Sequence, residues 1–140
     1  MLLDSELFDK ILPQAEASPR GRMNYDLRTQ AFEKPADGTT PWRDQSQRMP
    51  NVLTPGTVIP VHRHQETSET VIVLRGTVEE VFFDEKGNET EHHILRYGGP
   101  CPGIQVPRGV YHTCRCLEPG SVIFEAKDRP YDPHKTEDLL

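Results

Sequence analysis

The stretch that opens at Gly56, passes through Pro60-Val-His62-Arg-His64 and Glu69, and closes at Gly76 constrains this chain more than any other. If Thr57 to His64 is extended, the strand period of two sets His62 and His64 on one face, ~7 Å apart along the chain, close enough to grip one ion. Glu69 opens the next strand, and Thr70-Val-Ile-Val-Leu74 is a β-branched run that ends at Gly76. A glycine at each end permits tight chain reversal, so the segment reads as a metal site on a hairpin. Two imidazoles and a carboxylate with coordination positions left over suit Fe(II), Mn, Ni or Zn.

A fourth donor lies downstream in Pro107-Arg-Gly109-Val-Tyr-His112, where Pro and Gly build a turn and His112 enters a strand. Together these residues resemble the cupin superfamily. Its first motif, G-x5-H-x-H-x4-E-x6-G, is matched at every fixed position from Gly56 to Gly76. The second, which contains P-x-G-x-x-H, is matched from Pro107 to His112. The match departs at its ends: the leading Gly falls on Cys101 and the closing Asn on Cys116. The resemblance implies one divalent ion per chain on His62, His64, Glu69 and His112. A lone His-x-His pair is more often two surface histidines than a site, and it is the added Glu69 and His112 that reverse this.

At 140 residues the chain fits one domain. The net charge of -6 is spread without a Lys/Arg block, so neither nucleic acid nor an anionic membrane is expected as a partner. No apolar run approaches membrane-spanning length. The opening Met1-Leu-Leu-Asp-Ser-Glu places acidic residues where a secretory signal carries basic ones. Three cysteines without framework spacing suit a reducing compartment, and the expected location is the cytoplasm.

Asp4 or Ser5 can cap a short helix through about Leu12, until Pro13 intervenes, and this helix is expected to pack outside the main fold. Residues 17 to 45 are polar and rich in turn formers, which predicts loop with scattered short strands. From Gln47 the pattern becomes short strands near 47–53, 57–64, 70–75, 77–83, 90–96, 103–106, 111–117 and 121–127, with a hairpin loop at Asp84-Glu-Lys-Gly-Asn88. The fold class is therefore all-β. The resemblance makes it a cupin double-stranded β-helix, a jelly-roll barrel, divided into an N-terminal helix and extension (1–46), the barrel (47–127) and a tail of loop or surface extension (128–140). Two sheets folded together leave an interior pocket in which ligands from different strands meet.

Ser18-Pro-Arg-Gly-Arg22-Met-Asn24, Gln47-Arg48-Met-Pro-Asn51 and Phe124-Glu125-Ala-Lys127-Asp-Arg-Pro130-Tyr131 extend the likeness to the WbuC-type cupin-fold metalloproteins. That group is associated with bacterial surface-polysaccharide (O-antigen) gene clusters, which implies a small carbohydrate-derived or carboxylate ligand. Arg48 and Lys127 are the cations best suited to an anionic group. Glu125 and Lys127 share one strand face and, if it is interior, need each other or a ligand. Alternation points Tyr111 away from His112. Cys114 and Cys116 share the His112 face, where small apolar cysteines fit an interior better than an ion already supplied with four ligands. Cys101 sits in a Pro-rich loop with no role assigned, and His92, His93 and His134 are read as structural.

No residue is assigned a catalytic role, and two classes stay open. The metal is catalytic in one, in an isomerase or epimerase that uses it as a Lewis acid or in a non-heme iron dioxygenase. In the other, the barrel is a metal-dependent binding or sensing module without catalysis. Similar cupins pair through edge strands or outer sheet faces, and a homodimer is expected.

Overall fold

The computed structural model describes residues 1–29, 45–129 and 131–139. Two five-stranded antiparallel sheets carry the fold, with one helix outside them. The strands are β1 (Arg22–Asn24), β2 (Gln47–Leu53), β3 (His62–His64), β4 (Glu69–Arg75), β5 (Thr77–Phe83), β6 (Glu89–Arg96), β7 (Gly103–Val106), β8 (Tyr111–Cys116), β9 (Val122–Lys127) and β10 (Thr136–Asp138). One sheet runs β1-β2-β9-β4-β7 and the other β10-β3-β8-β5-β6. Both sheets thus extend beyond residues 47–127, since β1 and β10 each supply an edge.

The helix α1 spans Ser5–Ala17. Asp4 caps it, its side chain accepting from the Leu7 backbone N–H at 3.0 Å. Pro13 was expected to end it, and the helix instead continues through the proline to Ala17. Packing is the reason: Phe8, Ile11 and Ala15 are buried against Val52 and Val122 on the outer face of the first sheet, and the last of these contacts lies beyond the proline. Burial of that stripe outweighs the hydrogen bond a proline removes.

The hairpin expected for the central motif is not formed. β3 pairs with β8 and β10, whereas β4 pairs with β7 and β9, so the chain crosses from one sheet to the other between His64 and Glu69. Residues 57–61 carry no strand pairing, so the strand expected over 57–64 is reduced to its last three residues. The chain crosses back at Gly76, a single residue between β4 and β5 with φ +81°, where a Cβ would overlap the Ser121 hydroxyl. The motif glycine is a corner between sheets.

Nor is the tail only loop. After a 3₁₀ turn at Pro133–Lys135, β10 pairs with β3 in the register Thr136↔His64 and Asp138↔His62. Most of the expected loop over 17 to 45 cannot be compared, because residues 30–44 lie outside the described residues, as do Pro130 and Leu140.

Between the sheets, Leu53, Val71, Val73, Val78, Leu95, Cys114 and Ile123 form a buried cluster. Each is worth about 1.5–3 kcal/mol if fully buried and of aliphatic size. These residues fill one half of the interior. The other half is polar.

Candidate metal centre

Strand period and register bring the donors together. His62 stands directly opposite His112 in the β3–β8 ladder, and His64 follows two residues on, facing the same interior. Glu69 enters from the facing sheet at the start of β4, on the side that also presents Val71 and Val73. One ligand atom from each of His62, His64, Glu69 and His112 lies within 4.8 Å of all the others. The imidazole centroids are 5.0 Å apart for His62–His64, 4.4 Å for His62–His112 and 5.8 Å for His64–His112.

The outer nitrogens of the three rings are all engaged. His62 Nδ1 lies 2.7 Å from the Pro60 carbonyl and His112 Nδ1 3.0 Å from the Val110 carbonyl, contacts in which the ring N–H donates. His64 Nδ1 lies 3.3 Å from Thr136 Oγ1, and the Thr136 hydroxyl donates its own hydrogen to the Asp132 carbonyl at 2.9 Å, so it accepts from His64. A proton fixed on each Nδ1 leaves each Nε2 lone pair pointing inward, the tautomer a metal-ligating histidine adopts. His64 Nε2 and His112 Nε2 are buried and have no hydrogen-bond partner. Glu69 Oε2 lies 3.1 Å from the first and 3.8 Å from the second. Buried nitrogens converging on a carboxylate without hydrogen bonds fit a divalent cation, which would satisfy all of them at once.

Without the cation, Glu69, His112 and His62 shift one another. Burial works against the charge on Glu69, but the His112 and His64 imidazoles and the Lys127 ammonium hold its carboxyl well below the usual range. Burial also opposes the charge on His112, and the adjacent Glu69 overcomes it, lifting the ring to about 8. His62 goes the other way, down to about 4, through burial and then the neighbouring His112. A proton on the His112–Glu69 pair therefore competes with metal for the same centre.

The centre opens on a cavity of about 470 Å³. Lys127 lines it with its ammonium 3.7 Å from Glu69 Oε2. Glu125 lines it too and is half-buried; desolvation and then the charge of Glu69 push its carboxyl up to about 8. The face shared by Glu125 and Lys127 is thus the interior one. Arg48 stands apart from them. Its neighbours Gln47 and Met49 line the cavity, so alternation turns Arg48 to the opposite face of β2, where its Nε donates to the Ser46 carbonyl at 3.2 Å.

Tyr111 faces out: its ring lies 4.5 Å under the Arg63 guanidinium and its hydroxyl donates to Glu137 at 3.1 Å. Cys114 is in the apolar cluster and Cys116 packs against it, while Cys101 is exposed. His92 contacts Glu79 and Glu89, His93 contacts Glu91, and His134 sits in the tail turn, all away from the centre.

Sequence reasoning missed Glu80. It is 1% exposed, its Oε2 is unpartnered, and burial pushes it up to about 8 against the pull of His112. The signal was present in Val78-Glu-Glu-Val81: two adjacent carboxyls on a strand cannot both face out.

Residues 3–95 match the family model described as a domain of unknown function, DUF6016. The chain belongs to that family. No curated protein matches it. Among solved structures it is similar to the capsular polysaccharide assembling protein CapF from Staphylococcus aureus, at 21% identity and a TM-score of 0.60, over 69% of this chain and 29% of that one. It is similar to oxalate decarboxylase from Bacillus subtilis at 20% identity and a TM-score of 0.58, over 84% of this chain and 27% of that one. For an oxalate oxidase the values are 19% and 0.59, over 88% and 57%. The chain spans less than a third of CapF and of the decarboxylase. These likenesses show the fold alone: the DUF6016 chain has a cupin fold, two antiparallel sheets with a short N-terminal helix.

Proposed function

We propose that this DUF6016 cupin is a metalloprotein of the WbuC type that holds one divalent ion, Fe, Mn, Ni or Zn, on His62, His64, Glu69 and His112 and offers it to a small ligand. The observation that carries the reading is the convergence of inward-facing imidazole nitrogens, two of them buried without partners, on the Glu69 carboxylate. A bound ion would supply Lewis acidity or, if iron, oxygen chemistry, at coordination positions the protein leaves open. The chain's own side chains do the rest. The Pro60 and Val110 carbonyls and Thr136 hold the rings in register. Lys127 balances Glu69 and faces the cavity, where it can also take a ligand's anionic group.

The ligand class proposed is a carbohydrate-derived or carboxylate molecule. The WbuC-type resemblance supports it, and so does the fold shared with a capsular polysaccharide assembling protein and with two oxalate enzymes. A role in surface-polysaccharide biosynthesis follows from the same resemblance. Free Cys101, Cys114 and Cys116 support a cytoplasmic setting, and the open sheet edges support a homodimer.

Metal analysis of untagged protein tests the centre. One ion per chain is expected in the parent and none in the His62→Ala, His64→Ala double variant, with circular dichroism showing the barrel retained. Stoichiometric metal in the folded double variant removes the assignment.

A further inference from the structure

At the rim of the same cavity, opposite the ends of β3 and β10, lies a cationic segment that the metal centre does not use. Arg20 and Arg22 flank Gly21, and both line the cavity together with Asn24 and Gln47. In the β1–β2 register Arg22 stands opposite Leu53 and Asn24 opposite Asn51, two residues of the interior face, whereas Met23 turns outward to pack under α1. Alternation thus directs Arg22 and Asn24 inward.

The segment is held rigidly. The Gly21 carbonyl accepts three hydrogen bonds, from the Thr54 N–H at 3.1 Å, the Thr54 hydroxyl at 2.7 Å and the Thr57 hydroxyl at 2.9 Å. The Val58 N–H donates to the Arg20 carbonyl at 2.8 Å. Gly21 has φ +66°, and a Cβ there would overlap the Gly56 carbonyl, so the two segments meet glycine to glycine. The first motif glycine therefore serves to seat Arg20 and Arg22 on the loop that leads into His62.

Arg22 is half-buried yet lacks an ionic partner. Its Nε donates to the Val58 carbonyl at 3.3 Å and one terminal nitrogen to Asn24 Oδ1 at 3.3 Å, and no carboxylate among the described residues lies within ion-pairing distance. Burial and then the like charge of Arg20 press its pKa down, against a smaller opposing pull from Glu125 and Tyr131. The structure tolerates two neighbouring guanidinium groups at a cavity mouth, one of them half-buried, with no carboxylate among the described residues close enough to pair with Arg22. The carboxylates of the wall do not pair with Arg22: Glu69 is engaged by His64 and Lys127, Glu125 attracts it from β9 without an ion pair or hydrogen bond, and Asp138 is exposed on β10.

We propose that Arg22, assisted by Arg20 and Asn24, forms an oxyanion subsite at the rim of the cavity that binds a phosphate or carboxylate carried by the ligand. The planar guanidinium fork suits either group, since both present paired oxygens. The subsite deepens the ligand reading above and rests on the cavity being a ligand site, but it does not depend on the metal. The ligand is then an extended molecule, with oxygen donors at one end for the metal centre and an anionic group at the other.

The test is calorimetric titration of the full chain, metal-loaded and metal-stripped, with inorganic phosphate, with glucuronate and with neutral glucose. Saturable binding of phosphate, glucuronate or both is expected in both forms, and the stronger of the two anions identifies the source of the charge. Arg22→Gln should weaken it at least tenfold and Arg20→Gln by less, with metal content unchanged in each. Arg22→Lys keeps the charge and removes the fork; it covers the case in which Gln at this position fails to fold, and should weaken binding severalfold. Anion affinity indifferent to Arg22→Gln and Arg22→Lys, or no binding of either anion, overturns the subsite. Anion binding in a parent that never takes up metal supports the subsite and removes the metal reading alone.

Discussion

The interior of this barrel has two halves built from the same strands, and they obey opposite rules. On β4 the inward residues run Glu69, Val71, Val73; on β8, His112, Cys114, Cys116; on β9, Ile123, Glu125, Lys127. In each case one end of the strand joins the apolar cluster and the other the metal centre. The apolar half is close-packed, with Leu53, Val78, Leu95 and Ile123 wholly buried. The polar half leaves a cavity and keeps buried polar atoms without partners, among them His64 Nε2, His112 Nε2 and Glu80 Oε2. Such groups each cost about 1–3 kcal/mol. The packed half supplies the stability that lets the open half remain poised for a ligand.

The largest expected effect on stability comes from breaking the packed half. Leu95→Ala removes a fully buried side chain of the cluster and should destabilise the protein by about 2–5 kcal/mol in urea unfolding. Its metal stoichiometry in the folded state should equal the parent's. If the two halves are separable, it is the mirror image of the His62→Ala, His64→Ala variant, which loses the ion and keeps the barrel. Loss of metal from folded Leu95→Ala would show that the halves are one unit.

Glu80 lies at the border between the halves and gives a smaller, pH-dependent effect. Its carboxyl is held near 8 in the folded, metal-free protein, against an ordinary value of 4.5. The folded state therefore binds a proton that the unfolded state releases, and the contribution of Glu80 to stability is fully present below about 4.5 and falls as pH rises to 8. Glu80→Gln removes that slope. Metal-stripped Glu80→Gln should match the parent near pH 4.5 and exceed it by about 3 kcal/mol at pH 7, since each pKa unit is worth ~1.4 kcal/mol. Equal pH dependence in thermal unfolding of the two proteins would show that Glu80 is not buried as a neutral acid.

The packed half and the four clustered donors were legible in the sequence for a physical reason. Period-two patterning and local glycines are properties of single strands: Gly56, His62, His64, Glu69 and Gly76 lie within one short stretch, and His112 follows its own Pro107–Gly109 turn. What was not legible is set by which strands become neighbours. The inward side of Glu80 depends on β5 lying between β6 and β8. Arg48 and Lys127 were equivalent as cations until the β2 register fixed Gln47, not Arg48, opposite Lys127. Pro13 carries a local rule that a distant contact, Ala15 against the first sheet, overrides. The tail could be recognised as polar, but not as the strand that completes the second sheet.

That strand gives the smallest expected effect and the finest test of the comparison. Thr136 on β10 stands opposite His64, and its hydroxyl connects the ring to the backbone by accepting from Nδ1 and donating to the Asp132 carbonyl. Thr136→Val keeps the shape and the β propensity but removes both hydrogen bonds. The barrel should keep its stability to within about 1.5 kcal/mol, the ordinary worth of a hydrogen bond. Metal affinity should fall about 10- to 100-fold, because His64 loses the acceptor that fixes its tautomer and orientation. Competition titration against a chromogenic chelator measures the affinity, and urea unfolding of the stripped protein measures the stability. A stability loss without a change in affinity would make Thr136 a packing residue of the edge strand. A loss of affinity at nearly constant stability would extend the polar half of the molecule, and the metal centre with it, into residues 131–139.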